Sequence, residues 1–228
     1  MINRWRRVRR LSQSSWRGIL WRTSPISDTW GFDRGTPIDR YYIEQFLAAH
    51  RRDVTGKVLE IAGNDYTTRF GSRISSSDIL DIDPANERAT LVADLTRADQ
   101  IASDQFDCFI LTQTLHLIFD VRAALRHVHR MLRPGGVLLA TVPVVSRISS
   151  RLGPDGEYWR FTPGAAKLLV GDVFGPGQVE VGSAGNVLSA IAFLSGLALE
   201  ELSAEELTVN DPLFPLLVSI RAVKKPLA

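Results

Sequence analysis

The chain has 228 residues and a mass of 25.3 kDa, the size of one compact domain with room for an appended arm. Apolar residues make up 45% and charged residues 23%, enough to bury a core, which excludes an intrinsically disordered chain. A single cysteine, Cys108, excludes a disulfide framework and any multi-cysteine metal cage; it reads as a core residue, and the cytoplasm is the expected compartment.

The net charge of +2 hides an asymmetry: residues 1–27 carry seven arginines (Arg4, Arg6, Arg7, Arg9, Arg10, Arg17 and Arg22) and no acid, which leaves the remainder at −5. With Trp5, Trp16 and Trp21 among them, residues 1–22 suit either an anionic membrane surface or a protein partner, at the inner face of the membrane in the first case, or else form a plain solubilising tail. Nucleic acid is the least favoured partner, because no recognition module or stacking platform accompanies the arginines. The arm lacks the apolar run of a signal peptide. The apolar stretches around Val137–Val145 and Ala190–Leu199 are interrupted and shorter than the roughly 20 residues of a membrane span.

Ser24 to Pro37 is rich in Pro, Gly, Ser and Asp and reads as ordered loop, followed by a helix over residues 38–50. Strands are predicted at Lys57–Ile61, Asp78–Ile82, Thr90–Asp94, Phe106–Leu111 and Val137–Val142. Between the last two, Val121, Ala124, Leu125, Val128 and Leu132 form one apolar helical stripe, closed by a Pro134-Gly135-Gly136 turn. A short helix at about 164–173 follows. Two further strands, Gln178–Val181 and Pro215–Lys224, flank a long apolar helix from Val187 to Leu202 that is either core or a homodimer contact. Strands alternating with helices imply an α/β fold: a Rossmann-like, doubly wound, mostly parallel sheet of seven strands with helices on both faces. Residues 28–228 are read as one domain, with a cap at 28–54, a cofactor-binding half at 55–145 and an acceptor-side half at 146–228.

Ligands of such sheets bind at the carboxyl ends of the strands, where strand order reverses. There the first strand runs into Glu60-Ile61-Ala62-Gly63-Asn64, and the second ends Leu80-Asp81-Ile82-Asp83, with carboxylates spaced for ribose hydroxyls. The third ends Asp94-Leu95, and the fourth leads into Gln113 and His116. Together with Leu132-Arg133-Pro134-Gly135-Gly136-Val137-Leu138-Leu139, these segments resemble the class I S-adenosylmethionine-dependent methyltransferases over roughly residues 55–145. The segments around Asp33-Arg34-Gly35-Thr36-Pro37 and Tyr158-Trp159-Arg160-Phe161 resemble a bacterial subgroup often found with glycan-biosynthesis enzymes.

The resemblance implies S-adenosyl-L-methionine as cofactor, S-adenosyl-L-homocysteine as product and no metal. It assigns Gly63 and Asn64 to the amino-acid end of the cofactor, Asp81 or Asp83, with Asp81 preferred, to the ribose, and Asp94 and Leu95 to the adenine, and it counts Glu60, Ala62 and Gln113 among the cofactor-binding residues. The family's Gly-x-Gly-x-Gly is replaced here, with Ala62, Asn64 and Tyr66 at the glycine positions. That narrows the backbone freedom of the loop, although Asn64 tolerates left-handed angles better than most residues. His116 is the candidate general base, and Asp39, Arg40, Tyr42, Tyr158 and Arg160 are candidate contacts for a small-molecule acceptor such as a sugar. The rival class is a non-catalytic binding or scaffold protein that keeps the fold with a degenerate loop.

Overall fold

The computed structural model describes residues 22–226. The arm expected over residues 1–27 lies outside the described residues as far as position 21. The described chain forms two compact units. The larger holds residues 43–144, 148–183 and 217–226, and the smaller holds residues 22–42, 145–147 and 184–216.

The larger unit is built on seven strands: β1 (Gly56–Ile61), β2 (Ile74–Asp81), β3 (Leu91–Val92), β4 (Phe106–Thr112), β5 (Leu132–Pro143), β6 (Val179–Ala184) and β7 (Leu217–Val223). Their order is β3-β2-β1-β4-β5-β7-β6. The ladders from β3 through β5 are parallel, and β7 runs antiparallel to β5. The sheet is the Rossmann-like one expected. Order reverses between β1 and β4, so the ends of these two strands flank the crevice where such sheets take ligands.

Helix α1 (Ile38–Ala49) enters the larger unit at Ile43, and α2 (Asp65–Phe70) follows β1. Helix α3 (Val121–Met131) is capped by the Asp120 carboxylate, which accepts from the Ala123 amide, and it buries Val121, Ala124, Leu125, Val128 and Met131. Helix α4 (Pro163–Phe174) starts at a Thr162 cap and buries Ala166, Val170 and Phe174. These two stripes meet Leu59, Phe109, Leu111, Leu138, Ala140 and Val142 of the sheet in one core. At ~25 cal/mol per Å² of apolar area, this burial is the main stabilising contribution of the unit.

Two sequence expectations are corrected. Leu132 is no part of the α3 stripe: the helix ends at Met131 and β5 begins at once. Pro134-Gly135-Gly136 lies inside the start of β5 as an irregular bulge, where pairing jumps from Phe106↔Leu132 to Cys108↔Val137 and Gly135 takes φ +83°. The apolar helix from Val187 is shorter than expected. It runs as α5 (Val187–Leu194), capped by an Asn186–Ser189 box, and ends where Gly196 turns at φ +75°. A single 3-10 turn at Leu199–Glu201 and helix α6 (Ala204–Thr208) take up the rest. Within this smaller unit Arg34 pairs with Glu201, and the Arg147 guanidinium lies over the Trp30 ring.

Candidate active site

The loop after β1 is held from behind. Glu60 is buried, and its carboxylate accepts from the amides of Tyr66 (3.1 Å) and Thr67 (2.8 Å) and from the Thr67 hydroxyl (2.7 Å). These are first-turn donors of α2, which have no partners within the helix. Burial raises the Glu60 pKa, against the pull of these donors. Glu60 was expected at the cofactor; both its oxygens are instead engaged in fixing the loop. Ala62 takes φ +62°, so the left-handed angle falls on the residue replacing the family's first glycine, while Asn64 sits at φ −132° and did not need its tolerance. A Cβ built on Gly63 would lie 3.3 Å from Asp65 Oδ2 and 3.5 Å from Arg88 Nη1, so backbone approach depends on the missing side chain. The Arg88 guanidinium donates to Asn64 Oδ1 (2.9 Å) and to Asp65 Oδ1 (3.2 Å). The Tyr66 ring is buried and stacked on Phe70, within α2.

At the end of β2, Asp81 Oδ1 accepts from the Asp83 amide (3.0 Å) and Oδ2 from Asn86 Nδ2 (2.7 Å), and Asn86 also donates to the Ala62 carbonyl. One asparagine thus ties the ribose candidate to the loop after β1. Asp83 is exposed and turns the chain by accepting from the Ala85 amide. Ile82 between them is 67% exposed, an apolar surface at a strand end. Asp94 caps the next turn, accepting from the Thr96 amide and hydroxyl (both 2.8 Å), with the amide bond first in holding its carboxyl below the usual range. The Leu95 side chain is buried, leaving its backbone as the group a ligand could use.

Beyond β4, the Gln113 backbone takes φ +46°, its amide donates to the Thr141 carbonyl, and its buried Oε1 has no partner among the described residues. Thr141 Oγ1 and His116 Nδ1 share that condition. Buried acceptors and donors are normally satisfied, and the two orphans of Gln113 and Thr141 lie on residues joined by a backbone hydrogen bond at one strand end, a place for a polar ligand. His116 is buried in the turn Leu115–Leu117, and burial holds its imidazole down to about 4, outweighing the opposing effect of Glu157. Its carbonyl accepts from the Tyr158 and Trp159 amides, which brings the 157–160 segment alongside. Phe119, Tyr158 and Trp159 form an exposed aromatic cluster, with Phe119 at 5.4 Å from Tyr158 and 6.3 Å from Trp159. Arg160 donates to Glu157 (2.7 Å).

The smaller unit holds the remaining candidates. Tyr42 is buried and its hydroxyl donates to the Leu207 carbonyl (3.1 Å), so this expected acceptor contact is a packing residue of its own unit. Asp39 and Arg40 stand in the first turn of α1, and burial pushes the Asp39 carboxyl up to about 6. Cys108 is fully buried and burial pushes its thiol up. Among the described residues no group of three or more His, Cys, Asp or Glu is placed to hold a metal ion, and no helix is long and apolar enough to cross a membrane. A cleft of about 550 Å³ that includes Gly56, Arg73, Asp107 and Arg133 lies at the opposite, amino ends of the strands.

Sequence reasoning missed Ile82, Asn86, Arg88, Phe119 and Glu157. An apolar residue between the two strand-end aspartates was a usable signal for Ile82; the others act across turns that no spacing rule connects.

The preferred ribose acid, the exposed Ile82 and the unpartnered Gln113 amide oxygen fit a nucleoside carrying an amino-acid tail, and the bare loop after β1 needs no phosphate cradle. The seven-stranded sheet in this order, with β7 antiparallel to β5, is that of the Rossmann-like fold of class I S-adenosylmethionine-dependent methyltransferases. Residues 54–140 match the family described as the methyltransferase domain, and this match supports an enzyme of this class.

Among solved structures, the chain is similar to an S-adenosylmethionine-dependent methyltransferase from Mesorhizobium loti (19% identity, TM-score 0.55, covering 82% of this chain and 99% of that one). It is also similar to one from Archaeoglobus fulgidus (13% identity, TM-score 0.54, 81% and 94%). A third likeness is to the N-methyltransferase NodS from Bradyrhizobium japonicum in complex with S-adenosyl-L-homocysteine (16% identity, TM-score 0.51, 92% and 97%). These likenesses concern the fold. A comparison with curated proteins finds no match.

Proposed function

We propose that the chain transfers a methyl group from S-adenosylmethionine to a hydroxyl of a sugar or other small hydroxylated metabolite. The observation that carries this reading is His116, a buried, neutral imidazole whose Nδ1 has no partner among the described residues, in the turn whose backbone carbonyl holds the amides of Tyr158 and Trp159. Bound in the crevice, the cofactor supplies an electrophilic methyl group.

Asp81 would hold the ribose, Gln113 the amino-acid end and the Ile82 side chain the adenine, with Asp94 and the Leu95 amide at its edge. Gly63 and Asn64 supply backbone to the amino-acid end. The rings of Phe119, Tyr158 and Trp159 offer flat apolar surface of the kind that covers the C–H face of a sugar, and Arg160 is a polar candidate for its hydroxyls. An alcohol is a poor nucleophile until its proton is removed, and general-base assistance contributes roughly 10²- to 10⁴-fold. A neutral His116 is in the correct state to receive that proton at physiological pH. The two subgroup-like segments support placing the enzyme with glycan biosynthesis in the cytoplasm.

The test is mass spectrometry for a 14-dalton gain, dependent on S-adenosylmethionine, across a panel of glycans and small hydroxylated metabolites. With the acceptor found, His116→Ala is expected to lower turnover by roughly 10²-fold or more while S-adenosylhomocysteine affinity stays unchanged. Modification confined to amines or to carbon would refute O-methylation.

A further inference from the structure

We infer that Glu157 is the positioning residue of a His116–Glu157 pair: its carboxylate keeps the ring proton on Nε2, leaving Nδ1 to take the proton of the acceptor hydroxyl, while Arg160 competes for the same carboxylate. The inference rests on the methyl-transfer reading above and assigns the residue that sets the base's orientation.

Glu157 has only 3% of its side chain exposed, although it sits in a surface loop. The loop is pinned because the His116 carbonyl accepts from the amides of Tyr158 (2.9 Å) and Trp159 (3.2 Å), the two residues after Glu157. The carboxylate is then shared. Oε1 accepts from the Ser149 amide (2.7 Å), and Oε2 accepts from Arg160 Nη2 (2.7 Å) and lies 3.9 Å from His116 Nε2. The carboxylate therefore has one neutral and one cationic donor besides the nearby ring. The other ring nitrogen, Nδ1, has no partner among the described residues. The two nitrogens are thus distinguished by their surroundings, as a directional base requires.

In the reaction, the acceptor O–H bond breaks and its proton passes to Nδ1. The oxygen lone pair forms the new O–C bond as the C–S bond breaks, with that electron pair returning to sulfur. The ring is then a buried cation, and the nearby Glu157 carboxylate stabilises it. The charged groups acting on the ring are Glu157, which favours protonation, and Arg160, which opposes it; burial opposes it more strongly than either. Removing Arg160 should therefore have the opposite effect to removing the Glu157 charge.

The test needs no acceptor. The chain has four histidines, and the ring resonances of His116 are identified by their loss in His116→Gln. Titrations of the full chain labelled with ¹⁵N and ¹³C histidine are compared for wild type, Glu157→Gln, Arg160→Gln and the double variant. The midpoint of His116 should move to more acidic pH in Glu157→Gln and toward neutral pH in Arg160→Gln. The two moves should partly cancel in the double variant, and the neutral wild-type ring should carry its proton on Nε2. Midpoints unchanged in both single variants, or a neutral ring protonated on Nδ1, would overturn the pair. If Glu157→Gln fails to fold, the wild-type tautomer decides: a neutral ring protonated on Nε2 supports the pair and one protonated on Nδ1 overturns it. Failure of the chain to bind S-adenosylhomocysteine would count against the methyl-transfer reading and leave these midpoints readable.

Discussion

Ala62→Gly tests the loop on which cofactor binding depends. Ala62 sits at φ +62°, where an L-residue's Cβ crowds the neighbouring carbonyl oxygen at a cost of roughly 1–2 kcal/mol. Glycine removes that crowding but loses more chain entropy on folding, about 0.5–1 kcal/mol. Ala62 is exposed, so little apolar burial is forfeited. The net expectation is stabilisation of about 0.5–1 kcal/mol, read in urea as a higher transition midpoint with an unchanged slope. Ala123→Gly, at an ordinary position of α3, should instead destabilise by about 0.5–1 kcal/mol. Affinity for S-adenosylhomocysteine should stay the same or improve in Ala62→Gly, because the backbone is already in the glycine conformation. A loss of stability in Ala62→Gly as large as that in the control would refute the left-handed loop.

At the ribose position, Asp81→Ala should weaken S-adenosylhomocysteine binding by about 10- to 10²-fold, the loss expected for a hydrogen-bonded charge, whereas Asp83→Ala should change it less than threefold; calorimetric titration gives both. Glu60→Gln turns an amide N–H₂ toward at least one of three donors and should destabilise the larger unit by about 1–3 kcal/mol in urea. Asp39, with its carboxyl raised by burial from 3.8 to about 6, favours the protonated folded state, so its contribution to stability falls as pH rises between about 4 and 6. Asp39→Asn should therefore raise stability at pH 8 by on the order of 3 kcal/mol and have no effect near pH 3.5, as followed by denaturation at the two pH values.

The sheet was legible because β1, β4 and β5 carry runs of fully buried apolar residues such as Phe109-Ile110-Leu111 and Leu138-Leu139-Ala140. Strand edges were less so: β2 starts at Ile74, but Ser75, Ser76 and Ser77 conceal the first four residues of the strand, three of them paired with β1. Pro134-Gly135-Gly136 has the composition of a turn and is spent on a bulge opposite Asp107, a choice made by the neighbouring strand. The composition of Ala190–Leu199 suggested one helix, which Gly196 divides. The positions of Asp81, Gln113 and His116 at or just beyond the ends of β2 and β4 were legible because strand ends converge by topology. Glu157 was not, since it reaches His116 only through two backbone hydrogen bonds made by its neighbours, a contact without any periodicity. Tyr42 was misjudged for the reverse reason: an aromatic residue near the chain's start looks the same in sequence whether its hydroxyl meets a ligand or a carbonyl such as that of Leu207.

Calorimetric titration of the folded chain with S-adenosylhomocysteine tests cofactor binding most directly. A single saturable site with affinity in the micromolar range or better, weakened in Asp81→Ala and retained in Ala62→Gly, is the expected result. Absence of heat up to high micromolar ligand, from protein shown to be folded, would contradict a working cofactor crevice and favour a binding protein built on a methyltransferase fold.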